Sequence, residues 1–495
     1  MRFARLLSVL LFALTGCSQI LGIDGFKVTD GGDAADGPSI AQQAYLKASN
    51  TGAGDNFGVA IAISSDGNTL AVSAYMEASA AVGVDGLQTD NTKAASGAVY
   101  VFTRAGTTWT QEAYLKASNT DAADQFGRSL ALSADGNTLA VGADGEASGL
   151  TGIDPVQTGN GAAAAGAVYV FARQGTTWAQ TTYIKASNTG AADHFGYAVA
   201  LSGDGKTLAS GAVLEDSSSV GINSVPNELA ANAGAVYVFV LGATTWSQQA
   251  YIKASNPTAG DRFGNTLALS SDGSTLAVAS PLEDSAATGI NGNQSNDLAV
   301  DAGAAYVFSR TGVTWTQQAY VKASNTETLD SFGQSIALSD DGNTLAVGTS
   351  NDDSASATMP DDNSVMDSGS VSVFARSGTA WAQTAYLKSP TPTAGDLFGS
   401  SVAFGTNTLV IGANAETSGA GGAYLFDLTG TTWTPSAHLA AINGDASDRF
   451  GLAVIGGTTI AVGALDEDSS ATGIDGDSTD NAATDSGAAY VFVRN

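Results

Sequence analysis

The sequence predicts an all-β fold, a seven-bladed β-propeller of four-stranded antiparallel blades, and three observations predict it. First, the phrase Asp-x-Phe-Gly recurs seven times, at Phe57, Phe126, Phe195, Phe263, Phe332, Phe398 and Phe450, with intervals of 69, 69, 68, 69, 66 and 52 residues. A period of that length marks one supersecondary unit repeated along the chain. Second, the same four short apolar runs return in the same order between consecutive copies. Third, no stretch beyond residue 16 carries a sustained helical period.

The second copy shows the elements in order. Residues 129–133 (SLALS) lead through a four-residue turn, Ala134 to Asn137, into residues 138–143 (TLAVGA). A long Gly/Ala/Asp-rich loop follows, then residues 166–173 (GAVYVFAR), a Gly-Thr-Thr turn, and residues 178–188 (WAQTTYIKASN). Runs rich in Val, Leu, Tyr, Phe and Thr, bounded by Gly, Asp and Asn, read as antiparallel strands joined by hairpins. The first strand alternates Ala with branched residues (Ala60, Ile61, Ala62, Ile63), which suits convergence on a crowded axis. The third carries large residues on both faces (Val168, Tyr169, Val170, Phe171), so each sheet must be sandwiched between two others. Blades packed in that way around an axis form a propeller.

The counts also predict how the ring closes. Six Trp residues each open a fourth strand, whereas the seventh unit ends after its third strand, at residues 487–495. Residues 40–50 (IAQQAYLKASN) match residues 315–325 (WTQQAYVKASN), with Ile40 in the Trp place. The N-terminal strand is therefore expected to complete the last blade, leaving no unpaired edge.

Composition supports one large domain over residues 40–495: 60 Gly and 9 Pro fit many tight hairpins. Forty-eight acidic against 19 basic residues give a formal charge of −29, which argues against nucleic-acid partners. Residues 1–16 differ, with Arg2 and Arg5 before a short apolar run too brief to span a bilayer. That run ends at Leu14-Thr15-Gly16-Cys17, which resembles the lipobox of bacterial lipoproteins. The resemblance implies a cleaved signal peptide and acylation of Cys17, the only cysteine, and Ser18 after it favours the outer membrane. Residues 17–39 read as the lipidated Cys and a flexible tether.

Asp-x-Phe-Gly before the first strand and Val-Gly-Ala after the second (residues 141–143 and 462–464, with Ile-Gly-Ala at 411–413) resemble the FG-GAP repeat of integrin α subunits and bacterial surface proteins. The resemblance covers residues 40–495. It implies an extracellular recognition module for adhesion or ligand binding. The calcium loop that such repeats often carry between the first two strands is not matched, because turns such as Ser65 to Asn68 supply too few oxygen ligands.

Seven internal copies act as controls for one another. The repeated Asp (Asp55, Asp124, Asp193, Asp261, Asp330, Asp396, Asp448) is expected to accept backbone N–H bonds in its turn, and the Trp and third-strand Tyr to pack between blades. The residue between Asp and Phe and the residue after Gly vary, and they share a face with the long loops. Arg128, His194, Tyr197, Arg262 and Arg449 are the candidate ligand-binding residues among them. A second candidate is the blade-seven loop at residues 473–481, where Asp475, Asp477, Asp480 and Asn481 offer the hard oxygen ligands that calcium takes. The paired carboxylates Glu215/Asp216 and Glu467/Asp468 are read as solvated loop residues, His194 as an exposed loop residue, and His438, which stands where other blades have Tyr, as a packing or surface residue. No catalytic set stands out. The function expected is that of a monomeric, envelope-anchored, non-catalytic module binding an extracellular protein or glycan through its long-loop face. A hydrolase or lyase and a passive spacer are the alternatives.

Overall fold

The computed structural model describes residues 39–495. The signal peptide, Cys17 and the tether through residue 38 lie outside the described residues. Each repeat folds as four strands because its turns are locally determined. Between Phe57–Ile63 and Thr69–Ala74, Ser64 Oγ donates to Asp66 Oδ1 at 2.6 Å and the Asn68 N–H donates to the same oxygen at 3.0 Å. Gly67 then closes the turn at φ +70°. Ala98–Ala105 and Thr108–Leu115 complete the first blade, and the strands of blades one to six lie in chain order within each sheet.

Seven such sheets stand around an axis, and every first strand touches the first strands of both neighbours, which closes the ring. The core is divided accordingly: each of seven apolar clusters draws its side chains from two adjacent blades. The repeated Phe is the centrepiece of each cluster, fully buried in all seven copies. Phe57 meets Tyr100 edge-on at 5.4 Å and Phe102 at 6.3 Å, and Phe195 meets Tyr237 and Phe239 at 5.4 and 6.1 Å. Burying one such ring contributes about 1.5–3 kcal/mol. The Gly that follows is needed for a different reason. Gly58 has φ +98°, and a Cβ there would overlap the Ala488 carbonyl of the preceding blade. Phe fills the gap between blades, and Gly lets their backbones meet.

The last blade is closed from the N-terminus. Ile40–Leu46 pairs antiparallel with Ala488–Arg494, from Ile40 opposite Arg494 to Leu46 opposite Ala489. A β-bulge interrupts the pairing at Gln43, and the same bulge recurs between the third and fourth strands of every blade. It turns one side chain toward the next blade. Gln43 Oε1 thereby accepts from Trp109 Nε1 at 2.9 Å and Arg104 Nη1 at 3.1 Å. Glu112 serves Trp178 in the same way at 2.9 Å, and Gln318 serves Trp381 at 2.7 Å.

Among the described residues no helix is long and apolar enough to cross a membrane. Antiparallel order places the long loops between second and third strands on the same face as the Asp-x-Phe-Gly turns. Deletion of residues 40–50 removes one outer strand, Ala44, Leu46 and Ala48 from one core cluster, Tyr45 from another, and the Gln43 link together. A sharply lowered melting temperature in thermal unfolding is expected, and an unchanged one would contradict closure by this strand.

Candidate functional site

The Asp-x-Phe-Gly turn positions the variable face. In all seven copies the Asp carboxylate accepts the backbone N–H three residues earlier, as at Gly52 to Asp55 (2.8 Å), Gly190 to Asp193 (2.7 Å) and Asp445 to Asp448 (2.8 Å). The residue after it is held left-handed, at φ between 53° and 57° in every copy. Such a φ is uncommon for side chains other than Asn or Gly, yet the chain places Gln125, His194, Arg262, Ser331, Leu397 and Arg449 there beside Asn56. The scaffold fixes the backbone and leaves the side chain free to differ.

Four of the five residues singled out from the sequence converge. Arg128, His194, Tyr197 and Arg262 line one cleft of about 320 Å³ at the loop face, walled by residues of blades one to four. The Arg128 guanidinium stacks 4.4 Å from the Tyr197 ring centroid and 5.8 Å from that of Tyr75, an arrangement favoured by the ring quadrupole. His194 is half-buried rather than exposed, because its Nδ1 lies 3.0 Å from Asp144 Oδ2. Asp144 was missed in the sequence. Its side chain is only 4% exposed, Arg128 Nε stands 4.0 Å from Oδ2, and Oδ1 has no hydrogen-bond partner among the described residues. The internal copies carry the signal that would have found it: the corresponding residues are Tyr75, Val213, Pro281, Ser350, Asn414 and Leu465. Arg449 lies elsewhere, in blade seven, with its Nε 3.1 Å from Asp466 Oδ2.

The carboxylates of the blade-seven loop accept from nearby backbone and hydroxyl groups. Asp475 Oδ1 accepts the Tyr45 N–H at 2.9 Å, Asp477 Oδ1 accepts the Thr479 N–H and hydroxyl, and Asp480 Oδ1 accepts the N–H groups of Ser470 and Ala482. The Asn481 amide reaches Asp445 at 2.7 Å. Among the described residues no three His, Cys, Asp or Glu side chains converge closely enough to hold a metal ion.

Compared with known families, the chain matches the FG-GAP repeat over residues 40–102, 109–171, 178–239, 246–308, 315–374, 381–426 and 433–492. The chain belongs to the FG-GAP repeat family. Each matched segment joins the outer strand of one blade to three strands of the next, so the FG-GAP unit is offset from the blade by one strand. No curated protein matches the sequence.

The FG-GAP ring holds a second set of polar groups that corrects the sequence reading. Glu215 and Glu467 are not solvated: each is 1% exposed and paired with a buried lysine, Glu215 to Lys253 at 2.8 Å and Glu467 to Lys47 at 2.7 Å. Lys116–Glu77, Lys185–Glu146, Lys322–Glu283 and Lys388–Asp352 repeat the pair at 2.6–3.2 Å. An Asn from the preceding blade donates to the same carboxylate, as Asn50 does to Glu77 at 2.8 Å and Asn188 to Glu215 at 3.0 Å. Truncating one partner of such a pair leaves an uncompensated buried charge, at a cost of about 3–5 kcal/mol. Asp216 and Asp468, the neighbours in each carboxylate pair, instead accept backbone N–H groups, from Asn232 and Asp485.

Burial, reinforced by nearby carboxylates and opposed by the turn N–H bonds, pushes Asp55, Asp124, Asp193, Asp261 and Asp330 up to about 7 and Asp448 to about 6. A carboxyl that holds its proton more tightly when folded favours the folded state fully below its unfolded value, near 3.8, and loses that contribution as pH rises through 6–7. The melting temperature is therefore expected to be higher at pH 5 than at pH 8. Asp124→Asn, which keeps an acceptor oxygen for the turn, is expected to shrink the difference. A melting temperature that rises over this interval would contradict the assignment.

Proposed function

We propose that this FG-GAP propeller is a non-catalytic recognition module, anchored to the bacterial outer membrane through acylated Cys17 and binding an extracellular partner on its loop face. The lipobox-like segment before Cys17 supports the anchor, and the 17–39 tether lets the ring stand off the lipid surface. A protein of net charge −29 repels nucleic acid and anionic headgroups, which leaves a protein or glycan as the partner. The observation that carries the binding reading is the cleft. Positions that differ between blades gather Arg128, His194, Tyr197 and Arg262 there around a buried carboxylate with a free oxygen. Two guanidinium groups on an otherwise acidic molecule suit a carboxylate on the partner, and the Asp144 oxygen suits a hydroxyl beside it. A uronic acid at the end of a glycan presents both groups.

Surface plasmon resonance with immobilised protein and matched uronic-acid and neutral oligosaccharides tests this reading. Selective binding of the acidic series is expected. The Arg128→Ala/Arg262→Ala double variant is expected to lose about tenfold or more, since one charge-assisted hydrogen bond contributes about 1.5–3 kcal/mol. Equal binding of both series, or no loss in the double variant, would overturn the placement of the site.

A further inference from the structure

Blade six breaks the polar pattern that the other six blades keep. In those blades a fourth-strand lysine, buried to 6% exposure or less, places its ammonium 2.6–3.2 Å from the carboxylate that follows the second strand. In blade six the corresponding carboxylate is Glu416, but Ala440 stands at the lysine position and Thr391 at the position of the Asn from the preceding blade. The second-to-third-strand loop is also cut to residues 414–421. In five of the other blades an Ile or Val of that loop bridges the fourth strand, as Ile153 does Ile184 and Ile290 does Val321. Without that cover Ala440 is exposed.

A pocket of about 330 Å³ opens beside Glu416, with Thr391 in its wall. Its walls are apolar at Pro390, Pro435 and Ala437, and its polar end is formed by Glu416, Tyr424 and His438. Glu416 Oε1 accepts from the Tyr424 hydroxyl at 2.8 Å, and Oε2 lies 3.1 Å from His438 Nε2. Burial works to raise the Glu416 carboxyl, but the hydrogen bond and charge of His438 outweigh it and hold the group below the usual carboxylate range. The site therefore presents a carboxylate at the end of an apolar slot. The other blades show what such a carboxylate holds when the chain supplies its partner: an alkyl chain ending in an ammonium.

We propose that the blade-six pocket binds a small primary alkylammonium ion, its nitrogen on the Glu416 carboxylate as a lysine ammonium lies on the matching carboxylate of the other blades, and its alkyl chain between Pro390 and Pro435. Unlike the cleft at Arg128, this site takes a cation, and it stands whether or not that cleft binds an acid. Three hydrogen-bond donors on the nitrogen and the net charge of −29 both favour such a ligand.

Isothermal titration of n-butylammonium into the full chain tests the assignment, with n-butanol and tetramethylammonium as controls that remove the charge and the N–H donors in turn. Saturable binding of n-butylammonium alone is expected. Glu416→Gln is expected to weaken it about tenfold or more, the loss of one charge-assisted bond. Ala440→Lys is expected to abolish it by placing a lysine ammonium on Glu416, as in the other blades, with a melting temperature no lower than that of the parent. Equal binding of the three probes, no binding of n-butylammonium to the parent protein, or undiminished binding in folded Ala440→Lys would overturn the proposal.

Discussion

The structure depends on a buried carboxylate shared between neighbouring blades. Each fourth strand of the regular blades is followed by a lysine that reaches the carboxylate of its own blade, and in all of them but blade five an Asn three residues later reaches the carboxylate of the next. Lys116 thus binds Glu77 at 2.8 Å, while Asn119 donates to Glu146 at 3.0 Å. The same Asn accepts the hydroxyl of Tyr169 at 2.7 Å, which ties it to the third strand of the blade it enters. An ion pair this deeply buried is weak support for stability when set against an apolar replacement, but it is intolerant of a missing partner. What it contributes here is register. A fourth strand shifted by one residue would turn its lysine to the wrong side of the sheet and leave two carboxylates unmatched.

The N-terminal strand carries this lock to the seam of the ring. Lys47 pairs with Glu467 in blade seven, and Asn50 donates to Glu77 in blade one. Gln43, on the bulge, meets Trp109 and Arg104 of blade one near the other end of the strand. Residues 40–50 therefore belong to blade seven by pairing and to blade one by side-chain contact. This dual attachment also accounts for the FG-GAP unit being offset by one strand from the blade, since a unit that spans two blades closes a ring only when the chain ends share a sheet.

The fold was legible in the sequence because its determinants are local or repeated. Asp-x-Phe-Gly, the Ser-x-Asp-Gly hairpins and the Trp count each report on a backbone geometry that one short segment sets by itself. The lysine–carboxylate pairs were not legible in that way. Lys116 and Glu77 are 39 residues apart, and a lysine in a polar-edged run normally reads as a solvated side chain. Arg128, His194, Tyr197 and Arg262 were recognised as variable positions on one face, yet their convergence depends on how three blades are set around the axis. Asp144 completes the cleft from a position adjoining a Gly-Ala end that otherwise looks like scaffold. Arg449 belongs to the same class of position and meets Asp466 instead, because its neighbours in blade seven differ.

Both sites lie where the repeat departs from itself, the cleft through side chains that vary on a fixed backbone and the blade-six slot through a lysine, an Asn and a loop that are missing. A regular ring supplies the rigidity, and the exceptions supply the chemistry. Native-state hydrogen exchange tests the closed ring most directly. If the seam is locked as strongly as the other blades, the amides of Ile40–Leu46 exchange with the same opening free energy as those of Ala167–Gln174. A separate, lower-energy opening confined to residues 40–50 would contradict it.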